Sequence, residues 1–417
     1  MRLPALLATM VATAVSAALL PVAGPANAAG GEQSTASRVT ANVWDVPAVA
    51  AVRIVGHGYG HGHGMSQYGA EGAARAGLTY QQIAEFYYTG TTWGAATGSV
   101  KVHITGDTTD DVVVRSRSGL TVRALASGES WALPENGADQ WRLVANARGR
   151  TVVQWRGGHT WRRWRAFAGD AEFSAGGPLT LITPSRTVTY RGKLRSASPN
   201  STGKGRDTVN VLSLDNYLKG VVPLEIPASW SAEAVRAQAV AARTYAAYER
   251  AHPLAPHYEI CDTTSCQVYG GRSAEHPLSN AAVVATAQQV LTVDGQPAFT
   301  QFSASNGGWS SAGSVPYLAA REDPYDGWAG NPVHAWQVTV GDQRIENSWP
   351  AIGNLTRLLV NGRDGNGEWG GRVATMTFVG DQGQVTVSGD HVRTALGLRS
   401  TWFTFEVVSP SARTQIW

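Results

Sequence analysis

Along this 417-residue chain the apolar positions change rhythm several times, and each change predicts an element. Residues 3–22 form a predominantly apolar run behind Arg2, closed by Ala26-Asn27-Ala28, the layout of a cleaved export leader over residues 1–28. No later run approaches membrane-spanning length, so the mature chain is expected outside the cell and free of the membrane. Small and polar residues from 29 to 50 predict a flexible entry. Glycine at every second position from 56 to 64 interrupts any regular pattern. Helices are then expected near 71–76 and 80–88. Between 98 and 190 the apolar residues alternate with period two: Val100 to Ile104, Val112 to Val114, Leu120 to Val122, Thr151 to Trp155 and Thr187 to Tyr190. Gly, Asp and Asn punctuate these runs as hairpin turns do. A strand is expected at 209–214, a long helix at 231–251, and alternating helix and strand after 335. The length exceeds one ordinary core, and the class expected is α+β.

One stretch organises the rest: Gly220-Val-Val-Pro-Leu-Glu-Ile-Pro-Ala-Ser-Trp230. Glu225 stands alone among apolar residues between Pro223 and Pro227. Each proline fixes its own φ and pushes its predecessor out of the helical region, which predicts a stiff, non-helical elbow. Desolvation there raises a carboxyl pKa and keeps it protonated near neutrality, as a general acid requires. The amino end of the following helix opposes this by favouring the anion. A surface turn whose glutamate only decorates the helix start is the plainer alternative. In the helix itself, Val235, Ala239, Ala242 and Ala246 form a small-residue stripe suited to close packing, and Gln238, Arg243 and Tyr245 break it.

Glu225-Ile-Pro-Ala-Ser-Trp230 followed by Ala237-Gln-Ala-Val-Ala-Ala-Arg-Thr-Tyr245 resembles the signature of the stage II sporulation protein D family, which includes peptidoglycan lytic transglycosylases and amidase enhancers. The resemblance implies that Glu225 is the catalytic acid/base, with Arg243 and Gln238 around the active site. The glycine-rich stretch, Gly60-His-Gly-His-Gly-Met-Ser-Gln-Tyr-Gly-Ala70, resembles a second motif of that family. It implies that His61, Ser66 and Gln67 line a glycan cleft. Three histidines at 57, 61 and 63 would share one face of an extended strand, and a metal site is the competing reading. The family's usual motif order is reversed here, which points to a permuted catalytic domain. On this reading residues 51–97 complete a catalytic domain spanning 191–417, and residues 98–190 form a β-rich region between them.

Further segments carry the same resemblance. Phe299 to Trp309 looks like the family's serine and double-glycine segment, with Pro316-Tyr-Leu318 after it, so Ser305, Asn306 and Tyr317 are candidate saccharide contacts. Asp215, after the 209–214 strand, reads as a helix cap. The two cysteines, Cys261 and Cys266, predict a disulfide in an exported protein. Zinc held by both thiolates and His257 is the alternative, and otherwise no cofactor is expected. Trp131, Trp141, Trp155, Trp161 and Trp164 lie beside Arg162, Arg163 and Arg165. Packing accounts for most large aromatics, yet indole faces also stack on sugars and arginines could meet cell-wall carboxylates.

Charge enters last. With 34 basic and 31 acidic residues the chain is nearly neutral, unlike a nucleic-acid binder with a concentrated basic face. The family resemblance implies two alternative functions. In the first, the protein is a lytic transglycosylase acting on MurNAc–GlcNAc linkages of peptidoglycan strands and leaving 1,6-anhydro ends. One acid then suffices, whereas ordinary glycoside hydrolysis uses two carboxylates. In the second, it is a non-catalytic, glycan-binding enhancer of a separate cell-wall amidase.

Overall fold

A computed structural model describes residues 42–48 and 50–408. The expected leader lies outside the described residues, as do positions 29–41. Five helices matter for the site: α1 (Gln67–Arg75), α2 (Tyr80–Tyr87), α3 (Leu214–Glu225), α4 (Ala232–Ala251) and α5 (Pro277–Ala285). Helix α4 is the hub because alanine allows close approach on almost every side. Thirteen of its residues are buried, including Gln238 and Arg243, and α1, α2, α3 and α5 all pack on it. Among the described residues no helix is long and apolar enough to cross a membrane.

Two sheets lie beside this helical cluster. The seven-stranded one runs, in spatial order, through 260–261, 99–103, 207–213, 193–197, 171–174, 121–124 and 130–132. The six-stranded one runs through 162–167, 151–156, 140–145, 111–115, 179–182 and 187–190. Their alternating pattern buries Val100, Val102, Val112, Val114, Leu143 and Val153 completely. Helices and sheets share one apolar core reaching from Met65 to Leu318. Met65, Ala70, Ala73 and Ile83 from the early motif segment pack there with Ala234, Ala237 and Ala241 of α4.

A second core was not anticipated. It combines Val46, Val52 and Ile54 with residues from Trp336 to Phe405. Strand Ala51–His57 lies between Ala335–Gly341 and Phe403–Val408. The span 191–417 is therefore divided between two cores. The entry expected to be flexible also contains a strand, Asn42–Asp45, paired antiparallel with 357–360. Asn-Val-Trp-Asp places its two apolar residues side by side, so it lacks the period-two alternation that marks a strand.

The proline-clamped elbow needs correcting as well. Glu225 is the last residue of α3, which runs through Pro223. Pro223 removes the one i→i−4 bond that would run to the Lys219 carbonyl, and the helix continues for only two residues beyond it. What ends the helix is Ile226, extended at φ −137° and ψ 141°, as the residue before Pro227 must be. Asp215 is not the cap of α3. Ser213 is, accepting the Asn216 N–H at 3.4 Å.

Candidate functional site

The glycine-rich loop determines where the histidines go. Gly58, Gly60, Gly62 and Gly64 all have positive φ, so the backbone coils and does not extend. A Cβ on Gly64 would lie 2.1 Å from the Gln301 carbonyl oxygen; only glycine lets the loop sit so tightly on the strand Phe302–Ser303, with which Met65–Ser66 pairs in parallel. The three histidines consequently share no face. His57 turns to Glu368, Nε2 to Oε2 2.9 Å. His61 and His63 stack on each other at 4.9 Å. Among the described residues no cluster of metal-ligating side chains forms.

This loop meets the end of α3 at a cleft of about 200 Å³. His61, Gln301 and Phe302 form one wall. Glu225, Tyr245 and Val268 form the other, with Thr264 and Ser265 at the rim. Among the described residues Glu225 is the single carboxylate lining it. Burial pushes the Glu225 carboxyl upward, and the Val268 N–H and the Gln67 side chain pull it partly back. The Val268 N–H donates to Glu225 Oε1 at 2.8 Å. Two hydrogen-bond donors thus oppose burial. Gln67 also donates from Nε2 to Gln238 Oε1 at 3.3 Å, so the buried Gln238 amide braces the side chain that touches the acid.

Across the cleft, His61 is held neutral. Burial lowers its pKa from 6.5 to about 4, assisted by repulsion from His63, Arg372 and Arg393. Its Nδ1 accepts the His63 N–H at 2.9 Å, which leaves the ring proton on Nε2. The site thus pairs a carboxyl biased toward protonation with an uncharged imidazole.

Several residues expected at the saccharide surface stand elsewhere. Ser66 is fully buried: its hydroxyl donates to Asp326 Oδ1 at 2.6 Å and accepts the Gly69 N–H at 3.0 Å, capping α1. Ser305 is also buried and donates to Asp326. Asn306 gives its amide to Asp323 at 2.7 Å. Tyr317 accepts the Phe299 N–H at 2.7 Å and does not line the cleft. Arg243 is enclosed: Nε bonds Asp215 at 2.8 Å, and the other nitrogens reach Thr286 and the carbonyls of Gln289 and Val283. It ties α4 to α3 and α5. Asp323 is a second buried acid, its pKa lifted to about 6 chiefly by desolvation, but it does not line the cleft.

Cys261 and Cys266 are joined as a disulfide, and the loop they close carries Thr264 and Ser265 to the rim. His257 points away, with Nε2 2.6 Å from Asp207, so the zinc alternative has neither thiolates nor a free imidazole. Tyr245, Val268, Gln301 and Phe302 were missed as cleft residues. Only Tyr245 had a signal, as an aromatic interrupting the alanine face of α4.

Comparison with known proteins bears on half of this cleft. A family model described as stage II sporulation protein (SpoIID) matches residues 202–293, which include Glu225, α4 and the disulfide loop but not His61 or Gln301. The chain is similar to the amidase enhancer of Bacillus subtilis, 41% identical over 135 residues, covering 31% of this chain and 17% of that protein. It resembles the stage II sporulation protein D of B. subtilis at 32% identity over 142 residues, 28% of this chain and 41% of the other. The B. amyloliquefaciens protein of that name is 27% identical over 221 residues, covering 47% and 61%. The chain therefore spans less than two thirds of each of these relatives.

Proposed function

From a chain that belongs to the stage II sporulation protein D family, we propose a lytic transglycosylase that cleaves MurNAc–GlcNAc linkages in cell-wall peptidoglycan outside the cell. The observation that carries the reading is the lone, desolvated carboxyl of Glu225 in a cleft without a second acid. In the first step the Glu225 carboxyl protonates the bridging oxygen while positive charge develops at the sugar C1. In the second the carboxylate takes the proton from the C6 hydroxyl of the same sugar, which closes on C1 as the 1,6-anhydro ring. The nucleophile belongs to the substrate, so the pair of carboxylates used in hydrolysis is not needed. One group must first lose a proton and then regain one. Burial supports the acid form, and the Val268 and Gln67 donors receive the anion once the proton has left.

A second reading has its own support. The similarity to a protein named amidase enhancer favours a glycan-binding partner of a cell-wall amidase that does not itself cut. Digestion of purified, peptide-stripped glycan strands followed by mass analysis separates the two. Anhydro ends are expected from the wild type, with Glu225→Gln reducing their rate by about 10²–10⁴-fold at unchanged thermal stability. Activity is expected to fall as pH rises through the elevated Glu225 pKa. Intact strands with both proteins would leave the enhancer reading, and ordinary reducing ends would indicate hydrolysis.

A further inference from the structure

Away from the cleft, the β-rich region concentrates charge in a way the whole chain does not. Residues 140–167 hold seven arginines, four tryptophans and neither a lysine nor an acid. They form three consecutive antiparallel strands that end the six-stranded sheet at an open edge. Register puts Arg142, Gln154 and Arg163 in one row across the three strands. Arg156, two positions beyond Gln154, shares their side. Leu143 and Val153 point the other way, into the core, so the row faces solvent.

Four of the seven guanidinium groups are held flat. Trp161 lies between Arg142 at 4.3 Å and Arg156 at 4.8 Å. Arg162 covers Trp155 at 5.2 Å, and Arg165 sits between Trp131 and Trp164 at 4.6 and 4.9 Å. Stacking orients a guanidinium plane for a planar, two-oxygen acceptor. Arg142 spends donors on Gln154 and Asp111 and Arg156 one on Gln140, whereas among the described residues the guanidinium groups of Arg162, Arg163 and Arg165 donate to no neighbour. Among the described residues the one ion pair in this group is Arg142 with Asp111, 3.1 Å. Like charges gathered on neighbouring strands repel. Aromatic packing alone explains the tryptophans, but not the six arginines that, among the described residues, have no carboxylate partner.

We propose that this face docks a linear, base-free phosphodiester polymer, anchoring the protein while the cleft works elsewhere. Each repeat of such a polymer carries one permanent negative charge. Its two non-bridging oxygens match the guanidinium fork. A chain of repeats engages several arginines at once, which one small anion cannot do. An open sheet face suits a long ligand.

The test uses the full chain and immobilised poly(glycerol phosphate), with polyglutamate and single-stranded oligothymidylate of equal charge as comparisons. Binding to the phosphodiester polymer is expected to weaken steeply between about 50 and 200 mM salt. The triple variant R156Q/R162Q/R163Q should lose about a hundredfold in affinity and about two from the slope of log K against log salt. Arg163 stacks on no tryptophan, so R163E tests docking without touching the packing: about a tenfold loss is expected with an unchanged melting temperature. Equal affinity for polyglutamate, tighter binding of the oligonucleotide, or unaltered binding by R163E and the triple variant would overturn the proposal.

Discussion

The cleft and the Asp326 hub are built from the same short segments and do opposite work. Ser66 and Gln67 are adjacent in the chain, yet Ser66 donates to buried Asp326 and Gln67 reaches toward Glu225. In the hub every donor converges on one carboxylate: Ser66, Ser305, the Gly307 N–H, Asn331 and His334. In the cleft the carboxylate receives two donors and keeps an open side. Saturation makes a scaffold and incompleteness makes a reactive group. A buried carboxylate surrounded by donors serves as a fixed acceptor, whereas Glu225, with fewer partners, is pushed toward protonation by burial.

That contrast can be broken most severely at the hub. Asp326→Ala removes the acceptor shared by five donors at a fully buried position, although Ser66, Asn331 and Gly307 each keep a second acceptor, and a loss of about 4 kcal/mol is expected, read as a collapse of the melting temperature or of soluble yield. Arg243→Met comes next. It orphans the Val283 and Gln289 carbonyls and frees Asp215, which is partly exposed and so contributes little by itself. About 3 kcal/mol of stability should go, with glycan cleavage per folded molecule retained; a selective loss of turnover would return Arg243 to the active site.

His61 sharpens the comparison through pH. Its folded pKa of about 4 lies below the ordinary 6.5, so the unfolded chain binds a proton first as pH falls. The neutral ring's contribution is complete above about 6.5 and is lost toward pH 4, at about 1.4 kcal/mol per unit. Denaturant titrations of wild type and His61→Gln should therefore differ by an amount that shrinks by about 2–3 kcal/mol across that interval. Comparing the two proteins cancels Asp323, whose raised pKa acts with the opposite sign. A constant difference would refute a neutral buried His61.

The smallest effect is expected at the disulfide. Cys261→Ser with Cys266→Ser releases a loop with four residues between the cysteines, worth about 2 kcal/mol at most. Because Thr264 and Ser265 line the cleft, a few-fold rise in KM with little change in kcat is the expected signature. Unchanged KM would remove the loop from substrate contact.

Much of the architecture was legible because it is local. The helix expected at 231–251 is observed at Ala232–Ala251, and the alternating runs at 100–104, 151–155 and 187–190 are strands. The apolar setting of Glu225 could be read from its immediate neighbours. The roles of Ser66, Ser305, Asn306 and Arg243 could not, since a serine or arginine looks alike whether its partner is a buried carboxylate or a bound sugar.

The sequence by itself determined the periodicities, the isolated glutamate and the cysteine spacing, because steric and solvation preferences act over a few residues. Only the tertiary structure decided that Pro223 stays helical, that residues 46–54 join 336–405 in a second core, and that His61 faces Glu225 across one cleft. Those outcomes depend on which distant donors, acceptors and apolar surfaces meet, and nothing within a short window of sequence specifies that meeting.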